Sequence, residues 1–476
     1  MLSPRSIAAA DARAIERGTH SLALMDRAAA AVVRVIRGRY ARRAARVVCG
    51  PGQNGGDGWA VAWMLDRLGW PVTLYSAVPP ARLEGAAGEA AARSDIEPQA
   101  LGAFEAAPGD LVIDALFGAG LSRDLVGATL SVVRAMDESA APVLAIDLPS
   151  GVDGLTGQVR GAAPRADATV TFHRLKPGHL LQPGAVLAGE VHVADIGLDD
   201  EAAPDALRAH AGLFPLPRPG AATHKYARGS VVIASGGHAS SGAARLAAYA
   251  AARAGAGAVT LASPLSAVDV HARACDAIMI KPMREATDLP ALIAERNSAA
   301  VLGPGMGRGE GTRARVLNAL NLETPCVLDA DALTVFEDDP DTLFALTHEA
   351  CALTPHEGEF ARLFGRADES GKLSRVQAAA DRAGCTVLLK GPDTVIAAPG
   401  QVPVICDHGP PWLATAGSGD TLAGIIGALM AQGMAAREAA AMGAWLHAEA
   451  GCRGGPGLTA DDLAGLTGRA YADALT

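Results

Sequence analysis

Residues 46–58 read Arg-Val-Val-Cys-Gly-Pro-Gly-Gln-Asn-Gly-Gly-Asp-Gly and place a short β-branched run directly before a glycine-rich turn. The pattern predicts a strand, a tight loop and then a helix, which is the repeating unit of a parallel sheet covered by helices. The turn contains the spacing G-x-G-x-x-G, which taken alone is a weak signal for a nucleotide. Because its amides face a helix N-terminus, the turn predicts a phosphate site, with a purely structural turn as the alternative.

The strand expected after this turn argues against one class of enzyme. Its sequence, Pro71-Val-Thr-Leu-Tyr75, is followed by Ser76 and Ala77 rather than by an acidic residue. Redox dinucleotide domains use an acidic residue at this point to bind the ribose hydroxyls. The sequence therefore disfavours a dehydrogenase.

Strands and helices alternate in two stretches of the chain, which predicts two α/β domains. At 476 residues, the chain exceeds the size at which a single core keeps growing. Because the alternation breaks down in between, we predict domains at 1–198 and 213–476 joined by a linker at 199–212. The predicted strands are 46–49, 71–75, 110–114 and 142–147 in the first domain, and 230–234, 258–262, 299–302, 326–329, 351–354 and 386–389 in the second.

The composition excludes several classes of function. Apolar residues make up 50% of the chain and charged residues 19%, as in a compact enzyme. A formal net charge of −10 and an aromatic content of 4% leave neither a basic surface nor stacking platforms for nucleic acid. Seven scattered cysteines without a C-x-x-C pair predict reduced thiols in the cytoplasm. No signal peptide or membrane-length apolar segment is evident, so we expect no membrane partner.

Two further polar loops follow predicted strands of the first domain, at 114–124 and 146–154. They run Asp-Ala-Leu-Phe-Gly-Ala-Gly-Leu-Ser-Arg-Asp and Ile-Asp-Leu-Pro-Ser-Gly-Val-Asp-Gly. Open parallel sheets bind ligands at the edge formed by the carboxyl ends of their strands, so the three loops are expected to share one crevice. Alternatively, Asp114 and Asp147 cap helices, but two such acids beside three glycine-rich loops fit that role poorly.

Together these segments resemble the NAD(P)H-hydrate epimerase family over residues 10–197. The family's loops run N-N-G-G-D-G, D-A-x-F-G-x-G-L and I-D-x-P-S-G-x-D, and its opening helix matches residues 11–25. The resemblance implies that Asp147 acts at the reacting carbon, where opening and reclosing a hemiaminal requires a positioned carboxylate. Lys176 also lies in a family-like segment, although we expect a surface lysine there.

The same resemblance implies the ligand contacts of the first domain. One departure from the family pattern is Gln53, which replaces an Asn and adds a methylene where the loop meets its ligand. Oxygen ligands for a potassium ion are implied at Asn54, Asp114 and Ser150. Contacts with the hydrated nucleotide are implied for Gln53, Asn54, Gly55, Gly56, Asp57, Gly118, Ala119, Gly120, Leu121, Ser122, Arg123, Asp124 and Asp147.

The second domain contains Ala414-Thr-Ala-Gly-Ser-Gly-Asp-Thr-Leu-Ala-Gly424, which opens a long apolar helix. Amides at such a helix start suit a transferred phosphoryl group, and Asp420 is placed to act as a base, with a simple N-cap as the alternative. Further strand-end loops lie at 303–307, 328–333, 354–359 and 388–394. His356 alone suggests a packed or capping histidine, whereas its loop neighbours predict substrate contact.

This set resembles the ADP-dependent NAD(P)H-hydrate dehydratase family, which has the ribokinase-like fold, over residues 213–455. The segments 224–229 and 241–246 also match. The resemblance implies ADP as co-substrate and Mg²⁺ in this domain. Substrate contacts are implied for Ala243, Gly305, His356 and Asp420, and nucleotide contacts for Lys390, Gly391, Pro392, Asp393, Thr394 and Gly419.

Both resemblances imply a Rossmann-like three-layer α/β/α domain followed by a ribokinase-like α/β domain. The implied function is nicotinamide nucleotide repair, in which R and S hydrates are interconverted and the S epimer is dehydrated with ADP, releasing AMP and phosphate. We expect a cytoplasmic homo-oligomer. A sugar or vitamin kinase is the nearest rival, but it has no use for the first domain. A regulator with dead sites would have lost Asp147 or Asp420, and both are present.

Overall fold

The computed structural model describes residues 1–296 and 298–476 and divides into two compact units, Met1–Ala206 and Leu207–Thr476. The boundary falls within the segment 199–212 that was predicted as a linker. In the first unit, the Asp205 carboxylate accepts a hydrogen bond from the Ser3 amide at 2.6 Å. Leu207–Arg208, in contrast, is a strand of the second unit's sheet. The two halves of this segment therefore belong to different units.

The first unit contains seven strands and six α-helices. All its strand pairs are parallel, in the order β3-β2-β1-β4-β5-β6-β7, which is the doubly wound Rossmann-like order. The strands are β1 Ala45–Cys49, β2 Val72–Ser76, β3 Gln99–Ala100, β4 Leu111–Ala115, β5 Val143–Ile146, β6 Ala168–Phe172 and β7 Glu190–Ala194. The helices are α1 Pro4–Glu16, α2 Ser21–Arg39, α3 Gln53–Arg67, α4 Gly85–Ala92, α5 Gly127–Glu138 and α6 Gly184–Leu187.

Helices cover both faces of this sheet because its strands are apolar on both sides. Val47 of β1 belongs to a buried core shared with α2, α3 and α4. Its neighbour Val48 points to the other face and packs in a core with Val132 and Val133 of α5. The predicted three-layer α/β/α arrangement is confirmed.

The predicted opening helix at 11–25 is wrong as a single element. The chain forms α1 up to Glu16 and restarts as α2 at Ser21. Gly18 adopts φ +95° between them, a conformation that disfavours other residues, and the His20 side chain caps α2 by accepting a hydrogen bond from the Leu22 amide.

The second unit holds a sheet of ten strands in the order β11-β10-β9-β12-β13-β14-β15-β16-β17-β8. Only the pairs β15–β16 and β16–β17 are antiparallel among the described residues. The strands are β8 Leu207–Arg208, β9 Ser230–Ala234, β10 Ala258–Pro264, β11 Met279–Met283, β12 Ala299–Leu302, β13 Cys326–Leu328, β14 Cys351–Leu353, β15 Thr386–Leu389, β16 Thr394–Ala397 and β17 Val404–Cys406.

Eleven α-helices are found in the described part of this unit, and α7, α15 and α16 pack over one face of the sheet in its main core. The apolar helix predicted after residue 417 is confirmed as α15. The helices are α7 Ser241–Arg253, α8 Leu265–Ala274, α9 Asp288–Ala294, α10 Glu310–Leu320, α11 Asp331–Thr334, α12 Pro340–Phe344, α13 Glu357–Phe364, α14 Gly371–Ala383, α15 Ser418–Ala431, α16 Ala436–Gly454 and α17 Ala460–Ala474.

Each strand predicted from the sequence is present in one of the two sheets. Across 1–296 and 298–476, no helix combines the length and apolar character needed to span a membrane.

Candidate active sites

The first unit encloses a cavity of about 820 Å³ at the carboxyl edge of its sheet. One wall is apolar and comes mainly from α1 and α2, through residues such as Ile7, Ile15 and Met25. The opposite side is formed by the strand-end loops that the sequence predicted to converge. Gln53, Asn54, Asp57, Asp147 and the residues from Gly118 to Arg123 all line the cavity.

Asp147 lies directly after β5 and is held from several directions. Its Oδ2 accepts a hydrogen bond from the Ala119 amide at 2.8 Å, and its Oδ1 accepts from Thr171 Oγ1 at 2.9 Å. The backbone has φ +67°, which is uncommon for a residue with a side chain and is typical of functional positions. A Cβ at Gly118 would lie 2.6 Å from Asp147 Oδ2, so this loop must carry glycine to approach the carboxylate.

The expectation of a surface lysine at position 176 is wrong. Lys176 is 1% exposed, and its Nζ lies 2.7 Å from Asp147 Oδ1 and 2.8 Å from Thr171 Oγ1. The buried His179 donates from Nε2 to the Asp147 carbonyl at 2.7 Å and accepts from the Lys176 amide at 3.0 Å. Burial lowers the pKa of His179 to about 4, in keeping with a neutral ring in these roles.

Lys176 decides the charge of Asp147. Burial by itself raises the pKa of this carboxyl, but the Lys176 ammonium and the Ala119 amide outweigh it and bring the pKa to about 2. Asp147 is therefore ionised at neutral pH. Lys176 is the functional residue that sequence reasoning missed, although its family-like segment was a signal for it.

Two other carboxyls line the same cavity. Burial raises the pKa of Asp57 well above its usual range, and the charges of Asp147 and Asp11 add to the rise. Burial also raises the pKa of Asp11 on α1, with Lys176 opposing the rise and Asp147 adding to it. The cavity thus contains one firmly ionised carboxylate and two carboxyls whose pKa is raised.

Asp114 and Ser150 lie fully buried below the cavity, and neither caps a helix. Ser150 Oγ donates to Asp114 Oδ1 at 2.5 Å and its amide donates to Oδ2 at 2.7 Å. Burial raises the pKa of Asp114 to about 6 against these hydrogen bonds. With its amide suitably oriented, Asn54 bridges the Ile146 carbonyl at 3.2 Å and the Gly118 amide at 3.3 Å.

Some predicted contact residues of the first domain lie away from the cavity. Gly55 and Gly56 are buried, and a Cβ on either would meet packed atoms, namely the Gly50 carbonyl at 2.0 Å and the Met25 side chain at 2.6 Å. Their absent side chains let α3 pack closely. Asp124 does not line the cavity either.

In the second unit, the loop before α15 presents a glycine-built helix start. Gly417 is the N-cap residue of α15, with φ +87°, and no side chain caps this helix end. Asp420 lies in the first turn of the helix and is therefore not its cap. A Cβ on Gly417 would lie 2.5 Å from Leu246 Cδ1. The next residue, Ser418, is buried, and its Oγ lies 3.0 Å from Nε2 of the buried His447. The Ser418 amide donates to the Thr415 carbonyl at 3.3 Å, and the amides of Gly417 and Gly419 are left to suit an anion.

Lys390 begins the turn between β15 and β16, and its side chain extends to the start of α15. Its Nζ is 2.7 Å from Asp329 Oδ1 and 3.9 Å from Glu359 Oε2, and a Cβ on Gly419 would lie 3.3 Å from it. Burial and the charge of Asp329 raise the pKa of Asp420 to about 6, while Lys390 opposes the rise. A carboxyl that titrates near neutrality suits proton transfer.

The remaining predicted contacts of this unit fall into three places. Gly305 packs against α7, where a Cβ would lie 3.2 Å from Ala243 Cβ. His356 is exposed and caps α13 by accepting from the Gly358 amide at 2.9 Å, so its capping role is confirmed. In the 390–394 turn, Lys372 Nζ holds Asp393 Oδ1 at 2.6 Å, and Thr394 Oγ1 donates to the Gly391 carbonyl at 2.8 Å.

Comparison with known proteins assigns both units. The family model described as the YjeF-related protein N-terminus matches residues 21–178, and that described as NAD(P)H-hydrate dehydratase matches 231–455. The bifunctional NAD(P)H-hydrate repair enzyme Nnr of Coxiella burnetii is 33% identical over 96% of both chains. The enzyme of the same name from Mycobacterium tuberculosis H37Rv is 38% identical over 85% of this chain and 82% of its own.

A solved ribokinase-like superfamily protein from Enterococcus faecalis covers 58% of this chain and 99% of its own, with a TM-score of 0.50 and 22% identity. The fold and the comparisons together define a two-domain enzyme, an isomerase fused to a lyase, with the predicted Rossmann-like and ribokinase-like architecture confirmed. The chain belongs to the family of bifunctional NAD(P)H-hydrate repair enzymes. Its first domain is the epimerase and its second the dehydratase of hydrated nicotinamide nucleotides.

Proposed function

We propose that Asp147 is the residue that moves protons during epimerisation and that Asp420 is the base of dehydration. The observation that carries the first assignment is the Lys176–Asp147 pair, which presents an ionised carboxylate to an otherwise mainly apolar cavity. The second assignment is supported by the position of Asp420 in the first turn of α15, beside free amides.

In the first domain, Asp147 accepts the proton of the hydroxyl on the hydrated ring as the hemiaminal opens, and it returns a proton when the ring recloses. Residues 53–57 at the start of α3 and the 118–124 loop hold the nucleotide around it. Lys176 keeps the carboxylate ionised and oriented, because its ammonium and Thr171 fix Oδ1 while the Ala119 amide fixes Oδ2.

We also propose a potassium site at Asn54, Asp114 and Ser150. The donor set fits, because the Asp114 carboxylate is fully buried and, among the described residues, meets only neutral hydrogen-bond donors. A bound cation would neutralise the charge of this carboxylate and would link the three segments that carry Asn54, Asp114 and Ser150. A higher melting temperature of the first domain in potassium chloride than in tetramethylammonium chloride would support this site, and equal melting would reject it.

In the second domain, Asp420 takes the proton of the substrate hydroxyl, whose oxygen attacks the β-phosphorus of ADP. AMP leaves as the bond from the β-phosphorus to its bridging oxygen breaks. The amides of Gly417 and Gly419 and the Lys390 ammonium stabilise the developing charge. Phosphate is a better leaving group than hydroxide, and its departure together with a proton from the adjacent ring carbon restores the double bond of the dihydropyridine ring.

For the nucleotide we propose ADP, held by residues 390–394 and Gly419, with the substrate against Ala243, Gly305 and His356. Across the described residues, no three acidic, histidine or cysteine side chains form a metal cage. Mg²⁺ is commonly bound through nucleotide phosphates with few protein ligands, so binding of Mg²⁺ together with ADP needs no such cage. All seven cysteines are free thiols, which supports a cytoplasmic location. Homo-oligomerisation remains a prediction.

Two single substitutions test the assignments in the full chain. Asp147→Asn is expected to abolish R/S exchange, measured by chromatography without nucleotide, and to leave dehydration of the S epimer intact. Asp420→Asn is expected to have the converse effect, with dehydration lowered about 10²- to 10⁴-fold. AMP and phosphate formed in equal amounts from ADP would support the phosphoryl-transfer route. If Asp420→Asn kept more than about a tenth of the dehydration rate, its role as base would be wrong.

A further inference from the structure

Asp11 occupies an unusual position on the cavity wall of the epimerase domain. The residues of α1 that line the cavity are Pro4, Ile7, Ala8, Asp11 and Ile15, so Asp11 is the one polar side chain in an apolar helical stripe. It lies in the middle of α1 and cannot serve as an N-cap. Aspartate is also a mediocre helix former, so local helix stability does not account for it.

Arg13 on α1 and Arg17 just after this helix do not pair with Asp11. Arg13 and Arg17 instead pair with Asp199, at 3.3 Å and 2.7 Å, and Arg17 also reaches Glu201 at 2.8 Å. Within the described chain, no hydrogen bond or salt bridge engages the Asp11 carboxyl. A half-buried acid without a partner, aimed into a ligand cavity, is expected to have its partner in the ligand.

The groups that face Asp11 come from three other elements. Asp57 projects from α3, Asp147 from the loop after β5 and Lys176 from the segment after β6. Lys176 Nζ lies 2.7 Å from Asp147 Oδ1 and keeps that carboxylate ionised. Burial raises the pKa of Asp11, Lys176 opposes this rise, and the charge of Asp147 adds to it. The cavity therefore presents an ionised carboxylate and a second carboxyl with a raised pKa on separate elements, which is the arrangement that an acid and a base require.

We propose that Asp11 is a second catalytic residue of the epimerase, which donates the proton to the ring nitrogen while Asp147 accepts the proton of the hydroxyl. This inference rests on the function proposed for Asp147. Epimerisation of a hemiaminal needs both transfers, because a C–N bond breaks as a C=O bond forms.

The proton balance closes over one cycle. Asp147 removes the hydroxyl proton, the oxygen lone pair forms the carbonyl, and the C–N bonding pair moves to the ring nitrogen, which takes the proton of Asp11. Rotation about the adjacent C–C bond turns the other face of the aldehyde toward the nitrogen. Reattack returns the nitrogen's proton to Asp11, and the new alkoxide recovers its proton from Asp147. The carbon is inverted and both carboxyls regain their starting states.

The test compares Asp11→Asn with Glu16→Gln in the full-length protein. Glu16 is an exposed acid on the same helix, so its substitution changes the charge of α1 equally without touching the cavity. We measure R/S exchange without nucleotide, dehydration of the S epimer and the melting of the chain. The proposal predicts that Asp11→Asn lowers exchange by about 10²-fold or more, while Glu16→Gln does not and both variants keep dehydration and wild-type melting.

The variant Asp11→Glu distinguishes loss of the carboxyl from a purely structural effect of the substitution. It retains a carboxyl and is expected to keep measurable exchange that declines as the pH rises, because the donor must be protonated, whereas Asp11→Asn is expected to lose that decline. The proposal would be overturned if the rate of R/S exchange in Asp11→Asn were within about threefold of that in Glu16→Gln. If Asp147→Asn were inactive in the same assay, the role of Asp147 would still stand. Equal loss in Asp11→Asn and Asp11→Glu, with lowered melting, would also overturn it. Exchange retained in Asp147→Asn as well would overturn the proposed function itself.

Discussion

At the scale of single residues, the two carboxyls that we assign as bases, Asp147 and Asp420, lie in opposite electrostatic settings. Lys176 outweighs burial at Asp147 and brings its pKa to about 2, so this group is ready to accept a proton at any physiological pH. At Asp420, burial and Asp329 outweigh Lys390 and raise the pKa to about 6. Each domain thus contains a buried lysine beside an aspartate, but only the first holds a close ion pair at its reacting carboxylate.

Lys176→Met is expected to weaken the epimerase domain through Asp147. The folded pKa of Asp147 lies below its unfolded value of about 3.9, so the pair contributes stability above that pH and loses it as the pH falls through about 2. Removal of one partner of a buried pair typically costs about 3–5 kcal/mol. Urea unfolding at pH 7 checks this, with the exposed Lys281→Met as control. A loss no larger than that of the control would contradict the role of Lys176.

The rate of the dehydratase reaction is expected to decline below a pH of about 6. Asp420 acts as a base only when ionised, so kcat/KM for the S epimer should decline on the acid side of its pKa. Because Lys390 lowers this pKa, Lys390→Met should move the acid limb to higher pH. A profile measured from pH 5 to 9 that is flat in the wild type, or unmoved in the variant, would exclude Asp420 as the titrating base.

Sequence reasoning could place these acids but not their partners. Asp147 and Asp420 follow strand and helix signals that are local in the chain, and both lie where those signals predicted. The Lys176–Asp147 pair joins residues 29 positions apart. Its burial depends on β6 and on the turn after it, which the sequence patterns did not single out. A lone lysine in a loop gives no local sign that it is buried.

At the scale of elements, the start of α15 decides what the dehydratase domain can bind. Gly417 is left-handed and packed against Leu246, and therefore it fixes where the free amides of the helix point. Elements with strong local signals, such as α15 and β1, were predicted from the sequence. The break between α1 and α2 was missed because the opening helix was inferred from the family resemblance, which does not show the positive φ of Gly18 or the cap that His20 makes on α2.

Gly417→Ala is expected to impair dehydration by shifting this helix start. The added Cβ would lie 2.5 Å from Leu246 Cδ1, in a conformation that itself costs about 1–2 kcal/mol. Gly433→Ala is the matched control, since Gly433 also has positive φ, at +95°, but its added Cβ would meet no atom within 4 Å. Both variants should lose stability, and only Gly417→Ala should raise KM for ADP. An equal rise in KM in both would show that strain alone is responsible.

At the scale of the whole molecule, each unit has its own sheet, its own core and its own group of predicted site residues. The two matched families cover the two units separately, which fits two reactions on one substrate pair. The division between the two units, after Ala206, lies within the 199–212 segment, which the sequence alone could not divide more finely. Only the pairing of Leu207–Arg208 with β17 shows which sheet that stretch joins.

An equimolar mixture of Asp147→Asn and Asp420→Asn is expected to convert both epimers completely. Each variant keeps the site that the other lacks, and the released S epimer can diffuse from one chain to the other. Asp147→Asn alone should leave the R epimer, which then disappears only at the spontaneous rate of exchange. Asp420→Asn alone should leave both epimers. Conversion by the mixture that stops when the initial S epimer is consumed would mean that the exchange activity is not located at the intact Asp147 site.

The most direct test of the central claim is the progress curve of wild-type protein with an R/S mixture of NADH hydrate, Mg²⁺ and either ADP or ATP. Absorbance of the reduced nicotinamide follows dehydration, and chromatography resolves the two epimers against an enzyme-free blank. We predict complete conversion of both epimers with ADP, which requires two working domains. Conversion that stops once the S epimer is exhausted would contradict the account of the first domain and direct attention to Gln53, and no conversion with either nucleotide would contradict the account of the second.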